Sequence, residues 1–220
     1  MPALRFRTVL FDCDSTLSAI EGIDELGAAH REAIASLTEA AMRGEVPLES
    51  VYGARLARIR PDRAAVAALA RQYIAAAVPG ARDTVHALRR HGVTVRIISG
   101  GILQAILPFA EWLGLAAGDV AAVSLRFHPD GSYAGYDEDS PLGRSGGKRT
   151  VVEGWRAGLP APILFVGDGV TDLEARPAVD RFVAFAGVTD RAAVTAGADT
   201  VLRGPSLLPL LDEVLHPDSG

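Results

Sequence analysis

One cysteine, Cys13, stands in the 220 residues, so no disulfide can form within the chain and a reducing compartment is expected. Its neighbours Asp12 and Asp14 would raise a thiol pKa and suppress the thiolate, so Cys13 reads as a small apolar strand residue. No run of about 18 apolar residues exists, which excludes a membrane-spanning helix. The same two aspartates interrupt any apolar core that a signal peptide would need, and a cytoplasmic location is expected. Basic residues are outnumbered 22 to 27, for a net charge of −5, with no basic block. That argues against nucleic acid or an anionic membrane as partner. An anionic substrate would have to find its positive potential inside the pocket. What remains is an ordinary soluble composition, 49% hydrophobic and 22% charged. Its length suits one core, or a core with a small inserted domain.

Short apolar runs alternate with longer helical patterns. Strands are expected at Thr8–Asp12, Val93–Ile98, Ile163–Val166, Phe182–Phe185 and Thr200–Leu202. Helices between them stop at His91-Gly92 and Leu113-Gly114. This order predicts an α/β fold with a doubly wound parallel sheet. Pro108 falls inside the helix expected after Ser99 and should kink or restart it. Residues 18–78 carry helical patterns only, with Ile23, Leu26, His30, Ile34, Leu37 and Ala41 on one face. Pro47 and Pro61 sit where first turns would start, and Val78-Pro79-Gly80 breaks the run. An inserted helical cap is the expectation. Alternation in Val123–Tyr136 around Asp130-Gly131 predicts a small β-hairpin.

Four polar clusters follow strands or open helices. In Asp12-Cys-Asp14-Ser-Thr16 two carboxylates end an apolar run, and residues two apart in extended chain share a face. Two charges so crowded need a shared proton or a cation. A calcium-binding loop fails, because glycine is absent at its sixth position and Ile23 stands where glutamate is needed. Ser99-Gly100-Gly101 offers a hydroxyl and open N–H groups for a phosphate oxygen, although such a triplet is also an ordinary turn. Ser145-Gly-Gly-Lys148 opens a helix, where a cation opposes the macrodipole unless an anion joins it. A nucleotide-binding P-loop is excluded by Leu142 and Arg149. Gly167-Asp168-Gly-Val-Thr171-Asp172 repeats the pattern of acids emerging from an apolar strand, and Asp168 could meet Asp12 across the sheet. Converging carboxylates without His or Cys suit a hard, octahedral cation, Mg²⁺ rather than zinc.

Taken together, Asp12/Asp14/Thr16, Ser99, Lys148 and Asp168/Asp172 appear in the order and strand context of the haloacid-dehalogenase-like phosphohydrolases, which the chain resembles. Residues 14–26, 41–44, 99–101, 145–148 and 167–172 extend the likeness to the members of that family that act on O-phosphoserine, across nearly the whole chain. The resemblance implies a Rossmann-like core from residues 1–17 and 79–220, with residues 18–78 as a cap setting substrate specificity. It implies Asp12 as nucleophile and Asp14 as general acid and base. It gives Ser99, Gly100, Lys148 and Thr171 to the phosphate, and Glu21, Arg55 and Gly101 to the amino-acid part. Arg58 is close enough to Arg55 to compete for that role. Mg²⁺ would be held by Asp12, the Asp14 carbonyl and Asp168, with Asp172 orienting the shell. Leu48 and Ile102 depart from the phenylalanines expected on the pocket wall.

The expected reaction is Mg²⁺-dependent hydrolysis of a small phosphorylated amino acid through an aspartyl-phosphate, in serine biosynthesis. Asp14 separates this from dehalogenation, since expelled halide needs no general acid. The rivals are a phosphatase or phosphotransferase for another small phosphorylated metabolite, and a non-catalytic phosphate-sensing module. The latter should have lost Asp12, Asp14 or Lys148. Oligomeric state stays open, with a homodimer among the options.

Overall fold

The computed structural model describes residues 4–31 and 48–215. Strand β1 (Thr8–Phe11) is buried along its whole length. Val9 and Phe11 enter one apolar cluster and Leu10 another, so the continuous apolar run belongs to a strand covered on both faces. Each such side chain contributes roughly 1.5–3 kcal/mol by burial. The chain continues through α1 (Gly22–Leu26), α2 (Leu48–Ile59), α3 (Arg63–Ala75), α4 (Ala81–Arg90), β2 (Thr94–Ile102), α5 (Leu103–Trp112) and β3 (Val120–Val123). Next come β4 (Leu125–Phe127), β5 (Tyr133–Tyr136), α6 (Gly147–Arg156), β6 (Ile163–Gly167) and α7 (Val170–Leu173). Then follow β7 (Arg181–Phe185), α8 (Ala192–Gly197), β8 (Thr200–Leu202) and α9 (Leu210–Leu215).

Six strands pair in parallel in the order β3-β2-β1-β6-β7-β8. This is the doubly wound sheet that the alternating pattern predicted. The order reverses between β1 and β6, and the loops leaving those two strands therefore open a crevice at their carboxyl ends. Both helix stops are where the glycines put them: α4 ends before Gly92 and α5 before Gly114, with φ of 81° and 85°.

Three local expectations change. β2 does not stop at Ile98 but runs to Ile102, with a register shift against β3 between Ile98 and Ile102, so Ser99-Gly-Gly lies within the strand's irregular end. Val123 belongs to the edge strand β3, and the hairpin is β4 and β5 alone. Helix α5 passes through Pro108 without restarting. One lost backbone bond is outweighed there by the burial of Ala105, Ile106, Phe109 and Ala110.

Among the described residues, α1, α2 and α3 fill the segment between β1 and Val78-Pro79-Gly80, and α4 then leads into β2. Ile23 is buried, while Ile34, Leu37, the 41–44 stretch and Pro47 fall outside the described residues. Asp62, just after Pro61, caps α3 by accepting the Ala65 N–H at 2.7 Å. α3 leans on α5 through the stacked rings of Tyr73, Phe109 and Trp112, with centroids 5.9 Å apart at each step. Tyr52 of α2 meets Tyr136 of the hairpin at 5.5 Å. The guanidinium of Arg63 covers Phe127 at 4.8 Å.

Candidate active site

Asp12 follows β1 directly, and the chain then tightens into a turn in which the Cys13 carbonyl accepts the N–H groups of Thr16, Leu17 and Ser18. Ser15 sits there at φ 52°. The turn separates the two aspartates that extended chain would have crowded together. Asp12 Oδ1 lies 2.7 Å from the Lys148 ammonium. Asp14 turns instead to Tyr73, whose hydroxyl donates to Oδ1 at 2.7 Å, and to the Gly22 N–H at 2.8 Å. Its Oδ2 receives the Ser99 hydroxyl at 3.3 Å. Cys13 between them is buried, and burial followed by the two acids pushes its thiol pKa well up. It is an inert core residue.

Lys148 reaches from the start of α6 to Asp12 and, at 2.5 Å, to Asp172 Oδ1. Asp172 Oδ2 in turn accepts the Gly169 N–H at 2.8 Å, which fixes its rotamer over the turn after β6. Asp168 sits at the end of that strand, with Thr16 Oγ1 3.3 Å from its Oδ1 and Arg191 Nη2 3.3 Å from its Oδ2. The four charged groups are buried: 5% exposed for Asp12, 6% for Lys148, 3% for Asp168 and 0% for Asp172. Burial, then the charge of Asp172, holds the Asp12 carboxyl well above its ordinary range, with Lys148 opposing. Burial and Asp172 lift Asp168 to about 7. Burial alone would lower the Lys148 pKa, but Asp12 and Asp172 raise it above its usual value. Asp14 is raised by burial, against the hydrogen bonds from Tyr73 and Gly22.

Carboxylate oxygens of Asp12, Asp168 and Asp172 lie within 4.8 Å of one another. Opposed oxygens around Mg²⁺ stand about 4.2 Å apart, so a small inward movement would let all three grip one hard cation. Asp12 Oδ1 and Asp168 Oδ2 are buried and, apart from their ion-pair neighbours, receive no well-formed hydrogen bond. The cavity wall carries six carboxyl groups against four cations, so hard oxygen donors outnumber the cations there. The donor set therefore fits such a metal. Asp172, expected to orient the ligands, stands among them. The Asp14 carboxylate is engaged elsewhere.

The cavity these groups share has a volume of about 380 Å³. Glu21, Arg55, Gly100, Gly101 and Thr171 also line it, together with Asp12, Asp14, Asp168, Asp172 and Lys148. Ser99 lies behind the wall, buried, where its hydroxyl accepts the Gly101 N–H at 2.9 Å. Arg55 faces the cavity and Arg58 does not. The Arg55 guanidinium pairs with Asp24, while its buried Nε has no hydrogen-bond partner. Glu21 accepts from Ser15 Oγ at 2.8 Å and from Arg191 Nη2 at 3.4 Å. Ile102 is buried in the core rather than on the pocket wall, in the apolar cluster that also holds Ile97, Ala105 and Ile106. The side chain of Leu48 lies outside the described set.

Several cavity residues carry no motif: Tyr52, whose hydroxyl donates to the Gly100 carbonyl at 2.9 Å, and also Arg144 and Arg191. Tyr73 reaches Asp14 from helix α3. Asp24, Ser145 and Gly169 also line the cavity and lie inside the 14–26, 145–148 and 167–172 stretches, where the local pattern assigns them no role.

Residues 6–180 match the model of the haloacid dehalogenase-like hydrolases. The chain is 40% identical over 210 residues to the chloroplastic phosphoserine phosphatase of Arabidopsis thaliana, covering 93% of this chain and 71% of that protein. It is 38% identical over 194 residues to the phosphoserine phosphatase of Bos taurus, covering 87% and 86%. A substrate-bound phosphoserine phosphatase structure superposes with a TM-score of 0.77 at 26% identity, covering 94% of this chain and 98% of that one. The chain belongs to the haloacid dehalogenase-like hydrolases, and among them it is similar to phosphoserine phosphatases.

Proposed function

We propose that this chain hydrolyses O-phospho-L-serine to serine and phosphate with Mg²⁺ as cofactor, the serine-forming step of amino-acid biosynthesis. The observation that carries this reading is the division of labour between Asp12 and Asp14. One faces the buried ammonium and the acid group, and the other is held apart by three donors. Phosphoryl transfer from an alcohol leaving group to a carboxylate needs that pairing of nucleophile and acid.

Asp12 attacks phosphorus, and the bond to the serine oxygen breaks as Asp14 donates its proton to that oxygen. Asp14 then takes a proton from the water that attacks the aspartyl-phosphate, releasing phosphate and restoring Asp12. Asp12, Asp168 and Asp172 would hold Mg²⁺, which supplies charge neutralisation between nucleophile and phosphate oxygens. Lys148, Thr171 and the Gly100 region steady the transferring group electrostatically. Glu21 takes the substrate ammonium and Arg55 the carboxylate, two opposite charges that line the same cavity as Lys148 and Thr171. Residues 18–78 act as the cap that excludes water. The buried single thiol fits a reducing, cytoplasmic setting.

The test is phosphate release from L-phosphoserine, phosphoethanolamine and glycerol phosphate, with and without Mg²⁺. Preference for phosphoserine, lost on chelation, is expected. Equal kcat/KM on glycerol phosphate would remove the amino-acid assignment.

A further inference from the structure

Two tyrosines from the helical segment before β2 converge on Asp14 by different routes. Tyr73 of α3 donates directly to Oδ1 at 2.7 Å. Tyr52 of α2 donates to the Gly100 carbonyl at 2.9 Å. The same peptide group carries the Gly101 N–H, which donates to Ser99 Oγ at 2.9 Å, and Ser99 donates to Asp14 Oδ2 at 3.3 Å. The Gly100–Gly101 peptide plane is thus pinned at both ends, and hydrogen bonds in such a chain polarise one another.

The oxygens of Asp14 are consequently unequal. Oδ1 accepts two donors, Tyr73 and the Gly22 N–H at 2.8 Å. Oδ2, with the single longer contact to Ser99, is the oxygen left to carry the transferable proton. Position 22 is built for this sharing, because a Cβ there would lie 2.0 Å from the Tyr73 hydroxyl. Tyr73 itself is fully buried and stacked on Phe109, so its hydroxyl has little freedom to point elsewhere.

We propose that Tyr73 and Tyr52 are positioning residues for Asp14. They orient its proton-bearing oxygen toward the leaving group and couple that orientation to seating of the helical segment on the core. This deepens the phosphatase reading and rests on it.

A leaving group that departs without a proton separates this role from a general structural one. The experiment compares wild type, Tyr73→Phe, Tyr52→Phe and Asp14→Asn on phosphoserine and on p-nitrophenyl phosphate, with melting temperatures of all four. Tyr73→Phe keeps the ring and its stacking. Its kcat on phosphoserine should fall about tenfold or more, the worth of one hydrogen bond to a charged group. That loss should be at least five times greater on phosphoserine than on p-nitrophenyl phosphate. Tyr52→Phe should lose less, about threefold on phosphoserine, with no loss on p-nitrophenyl phosphate. Asp14→Asn should show the bias most strongly. Equal losses on both substrates in the two tyrosine variants, or none, would overturn the proposal while the phosphatase reading stands. Should Tyr73→Phe lose its fold, the half-buried Tyr52 decides the matter: a loss confined to phosphoserine supports the proposal, and an equal loss on both substrates, or none, overturns it. Wild type inactive on both substrates would remove the phosphatase reading and the proposal with it.

Discussion

Lys148 has two carboxylates within reach and almost no solvent, so its charge belongs to the site rather than the surface. Replacing it by Met leaves Asp12 and Asp172 without their cation. A loss of roughly 3–5 kcal/mol in unfolding free energy is expected in urea titration of the metal-free protein, and a loss under 1 kcal/mol would place the pair outside the folding energetics. Asp12→Asn should abolish turnover with the circular dichroism spectrum unchanged; substantial activity in that variant would exclude the covalent route. The acids and the lysine were legible in the sequence because each sits at a strand end or helix start, where the local pattern changes abruptly. Tyr52, Tyr73 and Arg191 were not. Each lies on a helix or loop whose own pattern says only "amphipathic" or "polar", and only tertiary packing brings them to the cavity.

At the level of elements, stops were read well where glycine imposed them, and outcomes poorly where alanine-rich chain left them to context. Val120–Val123 carries little strand propensity of its own and becomes β3 by pairing beside Ile97 and Ile98 of β2. Pro108 misled for the opposite reason, since a strong local rule was overridden by burial of the helix it interrupts. Gly114 tests the stops that worked. It holds φ 85°, and a Cβ would come within 3.0 Å of His86 Nε2. Gly114→Ala should cost about 1 kcal/mol, lowering Tm by about 2–4 °C in a chain of this size. No change in a thermal melt would show that α5 can end without left-handed backbone.

Across the whole molecule, the acid group makes stability depend on metal and pH together. Asp12, Asp14 and Asp168 all have carboxyl pKa values raised in the folded state, Asp168 to about 7. The folded chain then binds more protons than the unfolded one between the ordinary carboxylate pKa of about 4 and about 7, so stability falls as pH rises through that window. Metal-free protein should melt at a higher temperature at pH 5.5 than at pH 7.5. Millimolar Mg²⁺ should raise Tm at pH 7.5, by an amount that grows with the logarithm of its concentration. A flat pH response without metal would mean that the acids are not strained.

β1 lies between β2 and β6, and its Thr8 pairs with Ile163 on the far side. On a ribosome, therefore, the first strand emerges long before its second neighbour exists. One apolar edge of that strand stays unpaired while some 150 residues are added, the interval in which nascent chains of such topology invite wrong pairing. Truncations ending before Ile163 should accordingly precipitate rather than fold, and Asp12 acquires Lys148, Asp168 and Asp172 as neighbours only after most of the chain has been made.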